Sequence, residues 1–225
     1  NSLIMCYILN IMKKEDLPNI LPVFPLSNFI IFPRTNVPLN IFEPRYIQMI
    51  DDCMKGNRLI GIVQPKKTGD LKKPNLYDVG CVGKITSFNE TDDGRYLIVI
   101  NGICRYKIIE ELINDKLYRE CKINFDNYTN DLNKIKQEEI KFSNFKSIFN
   151  EIKILFKKQG YLINWKDLEK QNLDQIINTL SMASPFSLEE KQILLEANTL
   201  SERNKKLEEI LKIYSVDNFE NKTLQ

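Results

Sequence analysis

The chain has 225 residues, 43% of them hydrophobic and 28% charged, with a formal net charge of +2. That is ordinary globular usage, sufficient for a sizeable core without disulfides or metals. Residues 1–126 carry 17 Lys or Arg against 15 Asp or Glu and the remainder 15 of each, so neither half is the basic arm or stripe that recognises nucleic acid by bulk charge.

In chain order, residues 1–12 are apolar but lack a basic leader and a cleavage site, and are too short to span a bilayer. Met12, followed by Lys13-Lys14-Glu15-Asp16, reads as a natural start, which makes residues 1–11 upstream sequence and residues 1–17 a disordered extension. Residues 18–126 read as a β-rich domain. Leu21–Leu26, Phe29–Phe32 and Val37–Phe42 are short apolar runs broken by prolines, which confine strands to edges and bulges. Pro44 suits the first turn of a helix, where its missing N–H has no intrahelical partner. Tyr46, Ile47, Ile50, Cys53 and Met54 follow at helical spacing, and Gly56 is placed to close that helix. Leu59–Val63 is a strand, Lys66 to Lys73 a Lys-rich loop, and Val79–Phe88 a long strand. Asp93-Gly94 turns the chain into Tyr96–Ile100. Gly102 breaks that run before two further strands, Arg105–Ile109 and Tyr118–Phe125. Several short antiparallel strands with one helix among them suggest a small, partly closed barrel.

The period changes after Asp126. Phe145, Ile148, Phe149, Ile152, Leu155 and Phe156 predict a helix across Leu132–Lys158 that Gly160 ends. Leu173, Ile176, Ile177 and Leu180 mark a second helix, with Asn172 and Gln175 placed like a capping box. Ser187 and Glu190 form a capping box opening a third, and Leu207, Ile210, Leu211 and Tyr214 mark a fourth. The helical bundle therefore covers 127–215, with 216–225 a frayed tail.

Histidine is absent, which removes Ser-His-Asp and Cys-His nucleophile pairs and the zinc-protease motif. The five cysteines are scattered without a C-x-x-C, so neither a disulfide framework nor a structural zinc site is expected, and reduced thiols fit a cytoplasmic protein. Gly80-Cys81-Val82-Gly83-Lys84-Ile85-Thr86 has two residues between its glycines where a P-loop needs four. The cluster Glu90, Asp92, Asp93 reads as a charged hairpin tip. No further segment is apolar for long enough to cross a membrane. No catalytic residue, metal or cofactor is expected.

The most distinctive text is Leu21-Pro-Val-Phe-Pro-Leu26, Ile30-Ile-Phe-Pro33, Pro38-Leu39 and Ile41-Phe-Glu-Pro-Arg-Tyr46. It resembles the opening of the N-terminal domain of the ATP-dependent Lon protease, above all in stand-alone bacterial proteins that carry this domain. Asp78-Val-Gly80, Gly83-Lys-Ile85, Asp93-Gly-Arg95 and Gly102 through Ile108 resemble the family's next hairpin. Ser187 through Glu196 and Arg203 resemble its helical part. The resemblance spans roughly residues 18–215. It implies an α+β protein in which a PUA-like β pseudo-barrel precedes a helical bundle, with a role in recognising polypeptide substrates. The Lon ATPase P-loop and protease Ser–Lys dyad have no counterpart here, so neither activity carries over. The short tail after Val216 favours a natural stand-alone protein over an excised domain.

Phe32, Pro33, Phe42, Glu43, Arg45 and Tyr46 form the candidate polypeptide-binding site, a groove joining a strand edge to apolar pockets. The competing reading is structural: Glu43 and Pro44 start a helix, Tyr46 packs, and Arg45 pairs with a nearby carboxylate. Tyr161 and Trp165 are either packing residues or a partner anchor. The expected function is non-catalytic binding of unfolded or partner polypeptides, as an adaptor in ATP-dependent proteolysis or protein quality control. RNA binding is the alternative, because PUA-like barrels often bind RNA, but the charge balance argues against it. A thiol-based enzyme site at Cys53 or Cys104 would need an exposed, activated thiolate.

Overall fold

The computed structural model describes residues 13–27, 29–69, 73–133 and 142–220. The chain divides into two compact units at 134/135. The first contains β1 (Ile20–Pro25), β2 (Asn36–Ile41), α1 (Pro44–Lys55), β3 (Leu59–Val63), β4 (Pro65–Gly69), β5 (Pro74–Leu76), β6 (Val79–Glu90), β7 (Tyr96–Leu112), β8 (Arg119–Asn124) and a 3-10 segment (Asp126–Leu132). The second contains α2 (Phe142–Lys158), α3 (Trp165–Leu168), α4 (Leu173–Ala183), α5 (Leu188–Glu196) and α6 (Leu200–Glu220). The protein is thus α+β.

Strand pairing explains the partly closed sheet. β1 pairs with β3 in parallel, Val23 opposite Gly61. The antiparallel pairs β3–β6, β6–β7, β7–β8 and β8–β1 complete a ring. β3 lies between β1 and β6, and all five of its residues are buried, which accounts for an apolar run without alternation. β7 joins two partners on one side: its leading half pairs with β2 and its trailing half with β8. Register shifts near Val82/Gly83 and Ile108/Glu110 mark bulges, which bend and twist a long strand enough to curl the sheet.

Gly102 does not end β7, as the sequence suggested, but lies inside it. A Cβ there would sit 2.1 Å from the Phe32 carbonyl oxygen. The Arg34 amide donates to the Gly102 carbonyl at 2.7 Å, and the Gly102 amide to Thr35 at 2.8 Å. The glycine lets another backbone lie against the strand. That neighbour, predicted as the strand Phe29–Phe32, has no regular structure. Thr35 Oγ1 accepts from the Phe32 amide and donates to the Phe32 carbonyl, and Arg34 has φ 62°, so the chain turns sharply while Ile30, Ile31 and Phe32 stay buried.

Tyr106 is fully buried, its hydroxyl donating toward the Ile62 carbonyl at 3.4 Å. A Cβ on Gly80 would lie 2.5 Å from both that carbonyl oxygen and the tyrosine Oη. Gly80→Ala should therefore lower the unfolding free energy by about 1–3 kcal/mol, the usual cost of overpacking, read as a lower urea midpoint with unchanged slope.

Helix α1 begins as expected, with Pro44 in its first turn after Glu43, and buries Tyr46, Met49, Ile50 and Cys53. It closes differently. Gly56 has φ −113°, and the left-handed residue is Arg58 (φ 61°), whose amide reaches the Cys53 carbonyl. The Lys-rich segment, predicted as a loop, forms the paired strands β4 and β5, and its tip at 70–72 lies outside the described residues.

In the second unit the predicted helical face of α2 is buried from Phe145 to Phe156. The helix is described from Phe142 rather than Leu132, which belongs to the 3-10 segment; residues 134–141 lie outside the described set. That segment stays with the barrel because Tyr128 and Asp131 pack on Arg105, which moves the division from 126/127 to 134/135. Gly160 (φ 73°) ends α2. The one-turn α3, capped by Asn164, was not read from the sequence. Both bonds of the Ser187–Glu190 capping box form, at 3.2 and 2.7 Å. α6 packs against α2, α4 and α5, and its backbone is helical to Glu220.

Candidate functional site

The six candidate residues divide into two groups. Phe32 and Tyr46 are 0% and 5% exposed, and Pro33 is buried too. Tyr46 lies against Phe24 with ring centroids 4.1 Å apart, and burial raises its phenol pKa. These three side chains are core, so the groove expected around Phe32, Phe42 and Tyr46 does not exist as a continuous exposed patch. Phe42, in contrast, is 63% exposed. Arg45 is exposed, spans the outer face of the Tyr46 ring at 4.5 Å, and donates to Glu43 at 2.9 Å through Nε. This is the pairing the structural reading anticipated. Exposed ion pairs of this kind contribute little to stability, so Arg45 is available at the surface at small cost.

The surface Phe42 belongs to comes from β2 and β7. Asn36, Pro38 and Asn40 are exposed while Val37 and Ile41 are buried. Phe42 continues the outward parity of that alternation. Opposite Pro38 and Asn40 lie Val99 and Leu97, half-buried and 44% exposed respectively. Pro38, Phe42, Leu97 and Val99 thus share the outer side of one strand pair. Among the described residues β2 pairs with β7 alone, leaving its other edge open. A proline with no N–H to offer is tolerated on such an edge. Leu97 and Val99 were missed in the sequence, although a signal was present. A half-solvated antiparallel strand should alternate apolar and polar, and Tyr96-Leu-Ile-Val-Ile100 does not.

The other motifs resolve into structure. Lys66 lies 3.5 Å from Asp78 and Lys73 2.9 Å from Glu111, so these lysines of the predicted basic loop are matched by carboxylates. Asp93, from the acidic hairpin tip, is held by Thr91 and Arg95, which depress its pKa. Gly80 and Gly83 lie within β6. Trp165 meets the rings of Phe149 and Phe156 at 5.6 Å, so it packs within its unit, while Tyr161 is 50% exposed. No group of three or more His, Cys, Asp or Glu that would hold a metal ion occurs among the described residues. No described helix is long and apolar enough to cross a membrane.

Cys53, Cys81, Cys104 and Cys121 are buried free thiols; Cys6 lies outside the described residues. Burial pushes Cys53 up to about 12 and Cys121 up to about 11, and raises Cys104 further. The reactive thiolate is suppressed at neutral pH. All four should resist a thiol-labelling reagent at pH 8 in the folded protein and react within minutes in urea. Fast labelling of Cys53 or Cys104 without denaturant would restore the thiol-enzyme alternative.

Comparison with known proteins decides the family. The ATP-dependent protease La (LON) substrate-binding domain matches residues 20–213. The chain belongs to the Lon substrate-binding domain family. It is 28% identical to the Lon protease of Flavobacterium johnsoniae over 204 residues, covering 85% of this chain and 24% of that protein. It is 32% identical to the Lon protease of Cytophaga hutchinsonii over 114 residues, which is 50% of this chain and 14% of the relative. Lon substrate-binding architecture is also evident in solved structures. The Lon N-terminal domain protein from Xanthomonas campestris superposes with a TM-score of 0.61 at 18% identity, covering 86% of this chain and 97% of that one. The N-terminal domain of Mycobacterium avium complex Lon protease gives 0.59 at 16% identity, with 86% and 98% covered. The part of Lon matched is its substrate-binding domain, and the chain spans about a quarter or less of the length of these Lon proteases.

Proposed function

We propose that this Lon substrate-binding domain engages non-native polypeptide segments on the outer surface of β2 and β7, as a cytoplasmic adaptor for ATP-dependent proteolysis. The observation that carries the reading is the outward apolar set of exposed Pro38, Phe42 and Leu97 with half-buried Val99, beside an open strand edge. An extended segment laid along β2 would gain main-chain hydrogen bonds from the edge and apolar contact from alternate side chains. Arg45 at one end favours segments carrying a carboxylate. The paired lysines of β4 and the residue before β5 support this reading over RNA recognition.

The test is fluorescence anisotropy with a labelled, permanently unfolded protein and no nucleotide present. Saturable binding is expected below about 100 μM, the range of weak interfaces. Phe42→Asp combined with Leu97→Asp should weaken it by about tenfold or more, since a charge cannot be desolvated under an apolar chain. Equal binding by parent and variant would move the site elsewhere. No binding by the parent, with retardation of RNA that fades steeply with salt, would favour the RNA alternative.

A further inference from the structure

The β4–β5 hairpin and the β7–β8 hairpin line an open pocket of about 300 Å³ on the barrel unit. It is lined by Lys66 of β4, Leu76 of β5, Ile108 and Glu111 of β7, and Arg119 and Cys121 of β8, with Tyr77 and Asp78 beside them. The polar lining is built rather than loose. Arg119 donates through Nη1 to the Pro74 carbonyl at 2.8 Å and through Nη2 to Glu111 at 2.5 Å. Its Nε–H is buried without a hydrogen-bond partner. Glu111 is shared between Arg119 and Lys73. Desolvation opposes its ionisation, yet the two cations outweigh that and hold its carboxyl below the usual range. Lys66 is matched by Asp78. Among the described residues, one carboxylate thus serves two cations, and the cluster of Lys73, Glu111 and Arg119 keeps a surplus positive charge beside a lining that includes Leu76, Ile108 and Cys121.

We infer that this cavity takes a carboxylate carried on a small apolar group, of which the C-terminal residue of a polypeptide is the form that fits the proposed function. The size supports the choice. About 300 Å³ lies at the bottom of the range for ligand pockets, room for one residue with its terminal carboxylate. A second carboxylate beside Arg119 and Lys73 completes the alternation of charge that Glu111 alone leaves unfinished, and charge-assisted bonds to a guanidinium are the strong ones. The identity of the carboxylate's owner rests on the polypeptide-binding reading; the chemistry of the cavity does not.

The probe is N-acetyl-leucine, against N-acetyl-leucinamide as the matched neutral compound, with amide shifts followed in ¹⁵N-labelled protein. Shifts confined to residues around Lys66, Leu76, Glu111 and Cys121 are expected with the acid, and at least tenfold weaker binding of the amide, a factor within reach of one charge-assisted bond. Arg119→Gln should abolish the difference between the two compounds. Because Arg119 also anchors the β4–β5 hairpin, the exposed Lys73→Gln provides a second variant. It keeps the Arg119–Glu111 pair and should weaken the acid severalfold with the fold intact. A peptide with a free C-terminus should shift the same amides, whereas its amidated form or one bearing only an internal Asp should not. If the internal Asp competes equally, the terminal residue is not the recognised form. Equal binding of acid and amide, or shifts scattered elsewhere, would overturn the inference. In the same samples an unfolded protein with a blocked C-terminus reports on Phe42 and Leu97 alone, so loss of one site is separable from loss of the other.

Discussion

Asp131→Ala should remove about 3–5 kcal/mol of stability, more than any surface change described above. Arg105 and Asp131 form a buried pair, with side chains 3% and 10% exposed. Arg105 donates from Nε at 2.8 Å and Nη2 at 2.9 Å, a two-pronged contact, and its own backbone amide adds a third bond to the same carboxylate at 3.0 Å. The guanidinium also stacks over Tyr128 at 4.4 Å. Burial pulls the guanidinium pKa down, but the hydrogen bonds and charge of Asp131 more than offset it. Removing the carboxylate leaves a buried cation deprived of its counter-charge, and it is this residue of desolvation that sets the large cost. The consequence is local in origin: the 3-10 segment Asp126–Leu132 is tied to β7 by this pair, so its detachment uncovers Cys104, whose thiol donates to the Tyr128 carbonyl. Faster labelling of Cys104 should accompany the lower urea midpoint.

The same principle gives a sharper control. Replacing both partners with apolar residues of similar size, Arg105→Met with Asp131→Leu, removes the desolvation penalty along with the attraction and should recover most of the loss. If the double variant is as unstable as Asp131→Ala, packing rather than uncompensated charge dominates. If Asp131→Ala costs less than about 1 kcal/mol, water already reaches the pair.

Much of the fold was legible because strand and helix periods are local. Most of the individual strand segments, the start of α1 at Pro44 and the capping box at Ser187 all follow from residues within one or two turns of each other. What failed depended on distant neighbours. Gly102 looked like a terminator because the Phe32 carbonyl that occupies its missing side chain lies 70 residues away in sequence. Phe29–Phe32 looked like a strand because apolar runs do not distinguish a strand from a buried irregular turn. The candidate site suffered from the same limit. Conspicuous residues around Pro44 were gathered as one surface, although Phe32 and Tyr46 are core and only Phe42, Glu43 and Arg45 reach solvent. Leu97 and Val99 come to that surface through pairing with β2, a register no single segment specifies.

Arg203 carries the corresponding burden in the helical unit, and Arg203→Met should cost about 2–4 kcal/mol there. The residue is 3% exposed. From α6 its Nε donates to the Leu194 carbonyl of α5 at 2.8 Å, and its Nη1 to Asn178 of α4 at 2.5 Å. One guanidinium thereby joins three helices, and it satisfies a carbonyl in the last turn of α5, where no further helical amide follows to accept from. Positive charge is also favoured at that end of a helix dipole. Methionine preserves much of the volume but takes a donor away from two buried acceptors, a loss worth up to about 1–3 kcal/mol at each. Arg203→Lys should fall between parent and methionine variant, because a single ammonium cannot reproduce a planar fork aimed at two helices at once. The single tryptophan, Trp165, lies in this unit against Phe149 and Phe156, so its fluorescence in urea reads the change directly. A methionine variant within about 0.5 kcal/mol of the parent would show that the three helices hold together on apolar packing alone, since changes that small are typical of surface positions.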